Sequence, residues 1–235
     1  MMQVCLNGAR GAADGAMVPL SPADLARSAA EAVAAGAAEI HVHPKTPCGD
    51  DSLSSRVVGA ALEAIRAVVS VPVGVTTGAW AEPDPARRVE RVRSWAVLPD
   101  YASVNWHEEG AEAVAAALLD RGVGIEAGIW SGTGGARRFL ASPLAPRALR
   151  VLAEVTEPPP GAAEPTARAL LAELGDAHGR PLLLHGEDES AWPVLRLALG
   201  LGLDTRIGLE DVLVLPDGQR AASNAELVRA ALACP

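Results

Sequence analysis

Short apolar or β-branched runs alternate along this chain with longer amphipathic stretches rich in Ala, Leu and Arg. The short runs fall at residues 3–7, 39–43, 72–76, 101–105, 123–127, 150–154, 181–185 and 205–209, and their length and flanking turn residues predict strands. The stretches between them, at residues 24–35, 57–69, 86–95, 111–119, 136–140, 164–177, 191–199 and 224–233, predict helices. Three of these follow helix-start signals: Ser21-Pro22, Ser54 and Asp84-Pro85. Strand followed by helix, repeated eight times, is the pattern of a parallel sheet covered by helices. It predicts an α/β fold, a single-domain (β/α)8 TIM barrel over residues 1–235. An open doubly wound sheet is the alternative, but it would carry a Gly-rich dinucleotide fingerprint after the first strand, and none follows here. The Pro158-Pro159-Pro160-Gly161 run after the sixth strand reads as a rigid loop within the domain, not as a linker.

Composition narrows the picture. A chain of 235 residues suits one complete barrel, and 49% hydrophobic with 21% charged residues implies a sizeable core. A net charge of −9 argues against non-specific binding to nucleic acid or to an anionic membrane. The three cysteines, Cys5, Cys48 and Cys234, are odd in number and widely spaced, which fits neither a disulfide framework nor a cysteine zinc site. The opening MMQVCLNGAR has no basic segment followed by an apolar run, and no stretch is long and apolar enough to span a bilayer. The expected compartment is the cytoplasm.

Polar residues gather at the ends of the predicted strands: Asn7, His41 and His43, Thr76 and Thr77, Ser103 and Asn105, Glu126, His185, then Arg206, Glu210 and Asp211. In a barrel that rim is where chemistry takes place. In His41-Val42-His43 alternate residues share a face, so both imidazoles can enter the barrel mouth while Val42 faces the helices. Two imidazoles and the Glu210 carboxylate would suit Zn²⁺ or another divalent metal with an open position. The spacing serves equally for two histidines hydrogen-bonded at a strand end. His107 and His178 read as solvated. Arg206 and Glu210 share a parity, with Asp211 turned into the following loop and Gly208 permitting close approach of another group. The segment 131–138, SGTGGARR, reads as a flexible loop with two solvated arginines, phosphate binding through its amides being the alternative. Residues 185–189, His-Gly-Glu-Asp-Glu, read as a site loop or, since acids suit that position, as the N-terminus of the seventh helix.

These residues together resemble a known family, the β-keto acid cleavage enzymes, whose founding activity is the cleavage of 3-keto-5-aminohexanoate. The resemblance is carried in order by NGA at 7–9, AGAAEIHVH at 35–43, TTG at 76–78, ASVN at 102–105, the glutamate of GIEAG, RIGLED at 206–211 and SNAELV at 223–228. It implies a zinc-binding barrel that condenses a β-keto acid with acetyl-CoA and splits the adduct by a retro-Claisen step into acetoacetate and a new acyl-CoA. It implies His41, His43 and Glu210 as metal ligands, and Arg206, Asp211 and Glu126 as catalytic residues. Asn7, Arg10, Thr76, Thr77, Ser103 and Asn105 are then the residues expected to bind the keto acid, and an assembly of identical chains is expected. The family carries a glutamate directly after TGA or NGA, where this chain has Arg10; a cation there predicts a preference for β-keto acids with a neutral or anionic tail. Lys45 and Val212 stand where the family has Arg and Asn, and VTEPPPGAAEP replaces a VPGG-type turn after the sixth strand. Two alternatives stay open: a metal-dependent lyase or hydrolase acting on another carbonyl compound without CoA, and a non-catalytic barrel that binds a small carboxylate.

Overall fold

The computed structural model describes residues 1–15, 17–156, 158 and 161–234. Among these, eight strands alternate with eight α-helices. The strands are β1 Met2–Cys5, β2 Glu39–Val42, β3 Val73–Thr76, β4 Tyr101–Asn105, β5 Gly124–Trp130, β6 Arg150–Val155, β7 Leu182–Gly186 and β8 Thr205–Ile207. The helices are α1 Pro22–Ala34, α2 Ser55–Arg66, α3 Pro85–Ser94, α4 Ala111–Asp120, α5 Gly135–Ala141, α6 Ala163–Leu174, α7 Ala191–Gly200 and α8 Asn224–Leu232. All strand pairings are parallel, in the order β7-β6-β5-β4-β3-β2-β1-β8. The ring closes between β7 and β8 through a parallel bridge from Leu183 to Asp204, with Leu184 N donating to Asp204 O (2.9 Å) and Thr205 Oγ1 to Leu184 O (2.8 Å). The expected (β/α)8 barrel is the fold found.

The helix-start signals act as predicted. Ser21 Oγ accepts from Asp24 N with Pro22 in the first turn, Ser54 Oγ accepts from Val57 N, and Asp84 accepts from Ala86 N and Arg87 N ahead of Pro85. Each satisfies backbone donors that have no partner inside the helix. In α2 the buried face is Val58, Ala61, Leu62 and Ile65, a three- and four-residue spacing that lays one apolar stripe on the sheet. Burying a side chain such as Leu62 contributes about 1.5–3 kcal/mol. No helix of the described residues is long and apolar enough to cross a membrane.

Strand parity decides what enters the barrel. Ile40 and Val42, Val73 and Val75, Ala102 and Val104, Ile125, Ala127 and Ile129, and Val151, Ala153 and Val155 belong to the apolar layer under the helices. The intervening residues point inward, and many are polar: Gln3, His41, Thr76, Ser103, Asn105, Glu126, Arg150, Glu154, His185 and Arg206 are all buried. Two glycines make room for this interior. A Cβ on Gly74 would stand 2.0 Å from the Tyr101 ring, and one on Gly208 would stand 1.9 Å from the Cys5 carbonyl oxygen. The close approach anticipated at Gly208 is therefore to the β1 backbone. Pro159 and Pro160 of the predicted rigid loop lie outside the described residues.

Candidate metal centre

A pocket of about 190 Å³ opens at the C-terminal ends of the strands, lined by His41, His43, Thr76, Ser103, Asn105 and Arg206 together with Glu154, Glu187, Trp80, Trp130, Ala9, Leu152 and Glu210. Adjacent strands deliver neighbouring side chains: Thr76 is in register with Ser103, and Glu154 with His185. His41, His43 and Glu210 each offer a donor atom, all within 4.8 Å of one another. His41 Nε2 lies 3.9 Å from Glu210 Oε2 and His43 Nε2 lies 3.7 Å from Glu210 Oε1, too far for hydrogen bonds. The two imidazoles are edge to face with centroids 5.3 Å apart. Glu210 Oε2 is buried with no hydrogen-bond partner among the described residues. Converging donors that do not bond each other fit a shared cation, and two imidazoles with one carboxylate are the donor set of a metal with an open position.

The surroundings keep these donors in ligating form. Burial holds His41 neutral, lowering its pKa to about 4. Burial alone would protonate Glu210, but Arg206, His43 and His41 outweigh it and hold the carboxyl well below the usual range. Behind His43, Nδ1 faces Asp51 Oδ2 at 3.5 Å. Asp51 is in turn fixed by Lys45, whose buried Nζ donates to Asp51 Oδ1 (2.6 Å) and Gly8 O (2.7 Å). A carboxylate on the far nitrogen of a ligating imidazole sets its tautomer and orientation.

Arg206 joins this cluster to a second one. Its Nη2 donates to Glu210 Oε1 and to Asp211 Oδ1, both at 2.8 Å, and its Nε reaches Asp211 Oδ1 at 3.1 Å. Asp211 is fully buried and does not itself line the pocket; its Oδ2 has no partner among the described residues. On its other side lies His185, with Nδ1 3.4 Å from Asp211 Oδ1 and Nε2 3.0 Å from Glu154 Oε2. Burial and the Arg206 charge would strip the ring's proton; the Asp211 and Glu154 carboxylates outweigh them and raise its pKa to about 9.

The other residues proposed from sequence divide into two groups. Thr76, Ser103 and Asn105 line the pocket, with Thr76 Oγ1 accepting from Gly78 N and Asn105 Nδ2 donating to Glu108 Oε1. Asn7, Thr77, Glu126 and Arg10 do not line it. Asn7 spends its amide on backbone: Nδ2 donates to Pro19 O and His43 O, and Oδ1 accepts from His43 N, which pins β1 to the end of β2. Thr77 Oγ1 donates to Ser103 O (2.6 Å). Glu126 belongs to a closed interior layer, where Oε1 accepts from Arg150 Nε (2.6 Å) and Gln3 Nε2 (2.9 Å), and Arg150 also holds Glu39. The Arg10 guanidinium is drawn to Asp188 (2.7 Å) and to Glu210 O (3.1 Å), so the cation expected to face the substrate is already paired. His107 is half-buried, with its ring packed on Trp130 at 4.6 Å, and the exposed Arg138 donates to His107 O and Glu108 O. His178 is exposed, as expected.

Sequence reasoning missed Glu154, Asp51, Trp80 and Trp130, and singled out Glu187 only as part of the 185–189 run. That run lines the pocket through Glu187, and His185, the neighbour of Glu154, lies behind it. Continued alternation through Gly128, Ile129 and Trp130 would have carried the fifth strand beyond residue 127 and Trp130 to the rim. Asp51 and Trp80 sit in loops and had no periodic signal.

A family model described as beta-keto acid cleavage enzyme matches residues 1–234. The chain belongs to the β-keto acid cleavage enzyme family. No curated protein matches it. Among solved structures, this family member is similar to ObcA in a ternary complex with a C4-CoA adduct and oxalate (TM-score 0.70, 16% identity, 92% of this chain and 63% of that one). It is also similar to ObcA in a binary complex with oxaloacetate (TM-score 0.67, 17% identity, 92% and 63%). A type I 3-dehydroquinate dehydratase from Clostridium difficile follows (TM-score 0.64, 12% identity, 98% and 91%). At these identities the likeness speaks for the barrel alone, and the chain spans less than two thirds of the ObcA length.

Proposed function

We propose that this chain cleaves a short β-keto acid at a zinc ion, with acetyl-CoA as second substrate and acetoacetate and a new acyl-CoA as products. The observation that carries the reading is the convergence of His41, His43 and Glu210, with Arg206 bridging Glu210 to Asp211. The family supports cleavage of a β-keto acid. The ObcA complexes, with oxaloacetate and with a C4-CoA adduct, support a keto acid and a CoA ester as the reactants. His41, His43 and Glu210 would hold the ion, which when bound supplies Lewis-acid polarisation of the keto oxygen.

The remaining work falls to the chain's own residues. Thr76 Oγ1, Ser103 Oγ and the Asn105 amide are placed to orient the keto acid. The carbon between ketone and carboxylate gives up a proton toward Arg206, which lines the pocket and passes one on to the buried Asp211 carboxylate behind it. That carbon attacks the acetyl-CoA carbonyl, a C–C bond forms and the CoA thiolate leaves. The thiolate then adds to the original ketone, the old C–C bond breaks, and the electron pair returns to the same carbon, which regains the proton from Asp211 through Arg206. Arg206 holds the charge that moves along the substrate through both halves. A second cavity of about 760 Å³, lined by Lys45, Leu20, Cys48 and Arg56 among others, offers room for a larger co-substrate. On this reading the protein works in the cytoplasm, in line with three free cysteines, and as an assembly of identical chains.

Elemental analysis combined with a coupled assay of CoA-ester formation across a panel of β-keto acids tests the reading. CoA ester should form only when keto acid, acetyl-CoA and metal are all present. Metal-dependent turnover without CoA would replace this function with a lyase or hydrolase, and binding without turnover would leave a small-carboxylate-binding barrel.

A further inference from the structure

We propose that Glu187 is a further catalytic residue, a general acid and base that protonates the CoA sulfur as it leaves the acetyl group and takes the proton back as the sulfur attacks the ketone. The proposal rests on the reading above that a keto acid and acetyl-CoA react in the pocket.

The other titratable side chains of the pocket are already engaged. His41, His43 and Glu210 form the donor cluster, and Arg206 is bonded to Glu210 and Asp211. Glu154 accepts from Trp130 Nε1 (3.1 Å) and faces His185 Nε2 (3.0 Å). Glu187 lines the same pocket with neither an ion pair nor a side-chain hydrogen bond among the described residues. The charged groups around it are Glu154 on β6, His185 on β7, Arg206 on β8 and Asp211 in the turn that follows. Its chain neighbour Asp188 is paired with Arg10 at 2.7 Å, and Glu189 is exposed. Burial, with the charges of Glu154 and Asp211, raises the Glu187 pKa to about 7 against the pull of His185 and Arg206. A group that gives and takes a proton within one turnover works best with a pKa close to the ambient pH.

The sulfur is where the reaction needs such a group. An alkyl thiol in water has a pKa of about 8.5. A thiolate set free beside the keto acid carboxylate, in a pocket walled by Glu154 and Glu187, would add one more anion where little solvent is left. Protonated Glu187 spares the pocket that anion. As the acetyl C–S bond breaks, the carboxyl proton passes to the sulfur, which leaves as a neutral thiol while Glu187 becomes a carboxylate. When the sulfur bonds to the ketone carbon, the carboxylate takes the proton back and the ketone π pair moves onto its oxygen. That pair returns as the old C–C bond breaks, and Glu187 ends the cycle protonated, as it began. Trp80, Trp130 and Leu152 line the same pocket, and their apolar surface favours the uncharged carboxyl and the uncharged thiol alike.

Glu187→Gln removes the acid and keeps the size of the side chain, so far-ultraviolet circular dichroism and bound zinc should stay as in wild type. In the zinc-loaded variant, kcat for CoA-ester formation should fall about a hundredfold or more, with KM changed severalfold at most. Hydrogen–deuterium exchange at C2 of the keto acid without acetyl-CoA, which calls on Arg206 and Asp211 alone, should continue at the wild-type rate. Glu187→Asp, which retains an acid on a shorter arm, should recover part of the lost rate. Infrared difference spectra between pH 6 and pH 8.5 should contain a protonated-carboxyl band in wild type that Glu187→Gln lacks. A kcat in Glu187→Gln within severalfold of wild type overturns the proposal, and so does a carboxyl band that persists in that variant. Loss of C2 exchange in step with kcat also overturns it, since Glu187 would then shape the pocket and not serve the sulfur. In each of these cases a wild type that forms CoA ester leaves the cleavage reading standing. If wild type exchanges C2 but forms no CoA ester from any keto acid, the cleavage reading falls and the proposal falls with it.

Discussion

His185 Nε2 stands 3.0 Å from Glu154 Oε2, and the two buried residues are register partners on adjacent strands. With Asp211 Oδ1 3.4 Å from its other nitrogen, the ring can serve both carboxylates only when both nitrogens carry protons. The folded pKa of about 9 lies above the usual imidazole value of 6.5. The resulting stability is therefore full below pH 6.5 and lost as pH rises through 9. Denaturant titrations at pH 6, 7.5 and 9 should show wild type ahead of His185→Gln by about 3 kcal/mol at pH 6, the cost of breaking a buried pair, with the gap narrowing toward pH 9. A gap that stays constant with pH would mean that the imidazole is neutral in the folded protein.

The donor cluster leads to a graded prediction about metal. His41→Ala or His43→Ala should abolish bound zinc while the far-ultraviolet circular dichroism of the barrel is retained. Asp51→Asn leaves the three donors intact and disturbs the support behind His43 together with the buried Lys45 pair. It should weaken zinc by about 10–100-fold, read by chelator competition. Wild type that cannot be loaded with zinc would remove the centre altogether, and Asp51→Asn with unaltered affinity would remove Asp51 from it.

Most of the barrel was legible because strand parity and capping are local. Val58, Leu62 and Ile65 repeat at helical spacing, and Ser21, Ser54 and Asp84 open helices where their side chains reach the first turn. His41, His43, Glu210 and Arg206 were legible for the same reason, since position at a strand end and parity bring them to one mouth. The roles of Asn7, Arg10 and Glu126 depend on partners far along the chain. Asn7 meets the backbone of His43, Arg10 meets Asp188, and Glu126 meets Arg150, and no periodicity in the sequence reports such pairings. Glu154 was hidden for a related reason: inside a predicted strand an acid looks like any inward residue until its neighbour across the ladder is known to be His185.

Gly208 tests the packing of the barrel directly. Its missing Cβ would lie 1.9 Å from the Cys5 carbonyl oxygen and 2.8 Å from Cys5 N, and both are backbone atoms of β1 that cannot swing aside. Gly208→Ala must therefore push β8 from β1, the two strands that place Arg206 and the NGA loop. Overpacking of this kind costs about 3 kcal/mol or more. A thermal melt within a degree of wild type would show that the two strands have slack that their close contact denies.

Arg206 raises the question of whether a residue belongs to the scaffold or to the chemistry, and its geometry shows both demands at once. Its Nη2 spans Glu210 and Asp211 at 2.8 Å each while its Nε returns to Asp211, a planar fork that the point charge of an ammonium cannot reproduce. Arg206→Lys keeps the charge but can satisfy only part of this set, so some stability should be lost. If the guanidinium also holds charge moving along the substrate, the rate should fall much further than the fold weakens. We expect kcat in the zinc-loaded variant to drop by about a hundredfold or more, with KM changed severalfold at most. The melting temperature should fall by only a few degrees, and bound zinc should remain near one per chain. An unaltered kcat with a lowered melting point would place Arg206 in the scaffold, where its task would be to hold Asp211 beneath the eighth-strand turn.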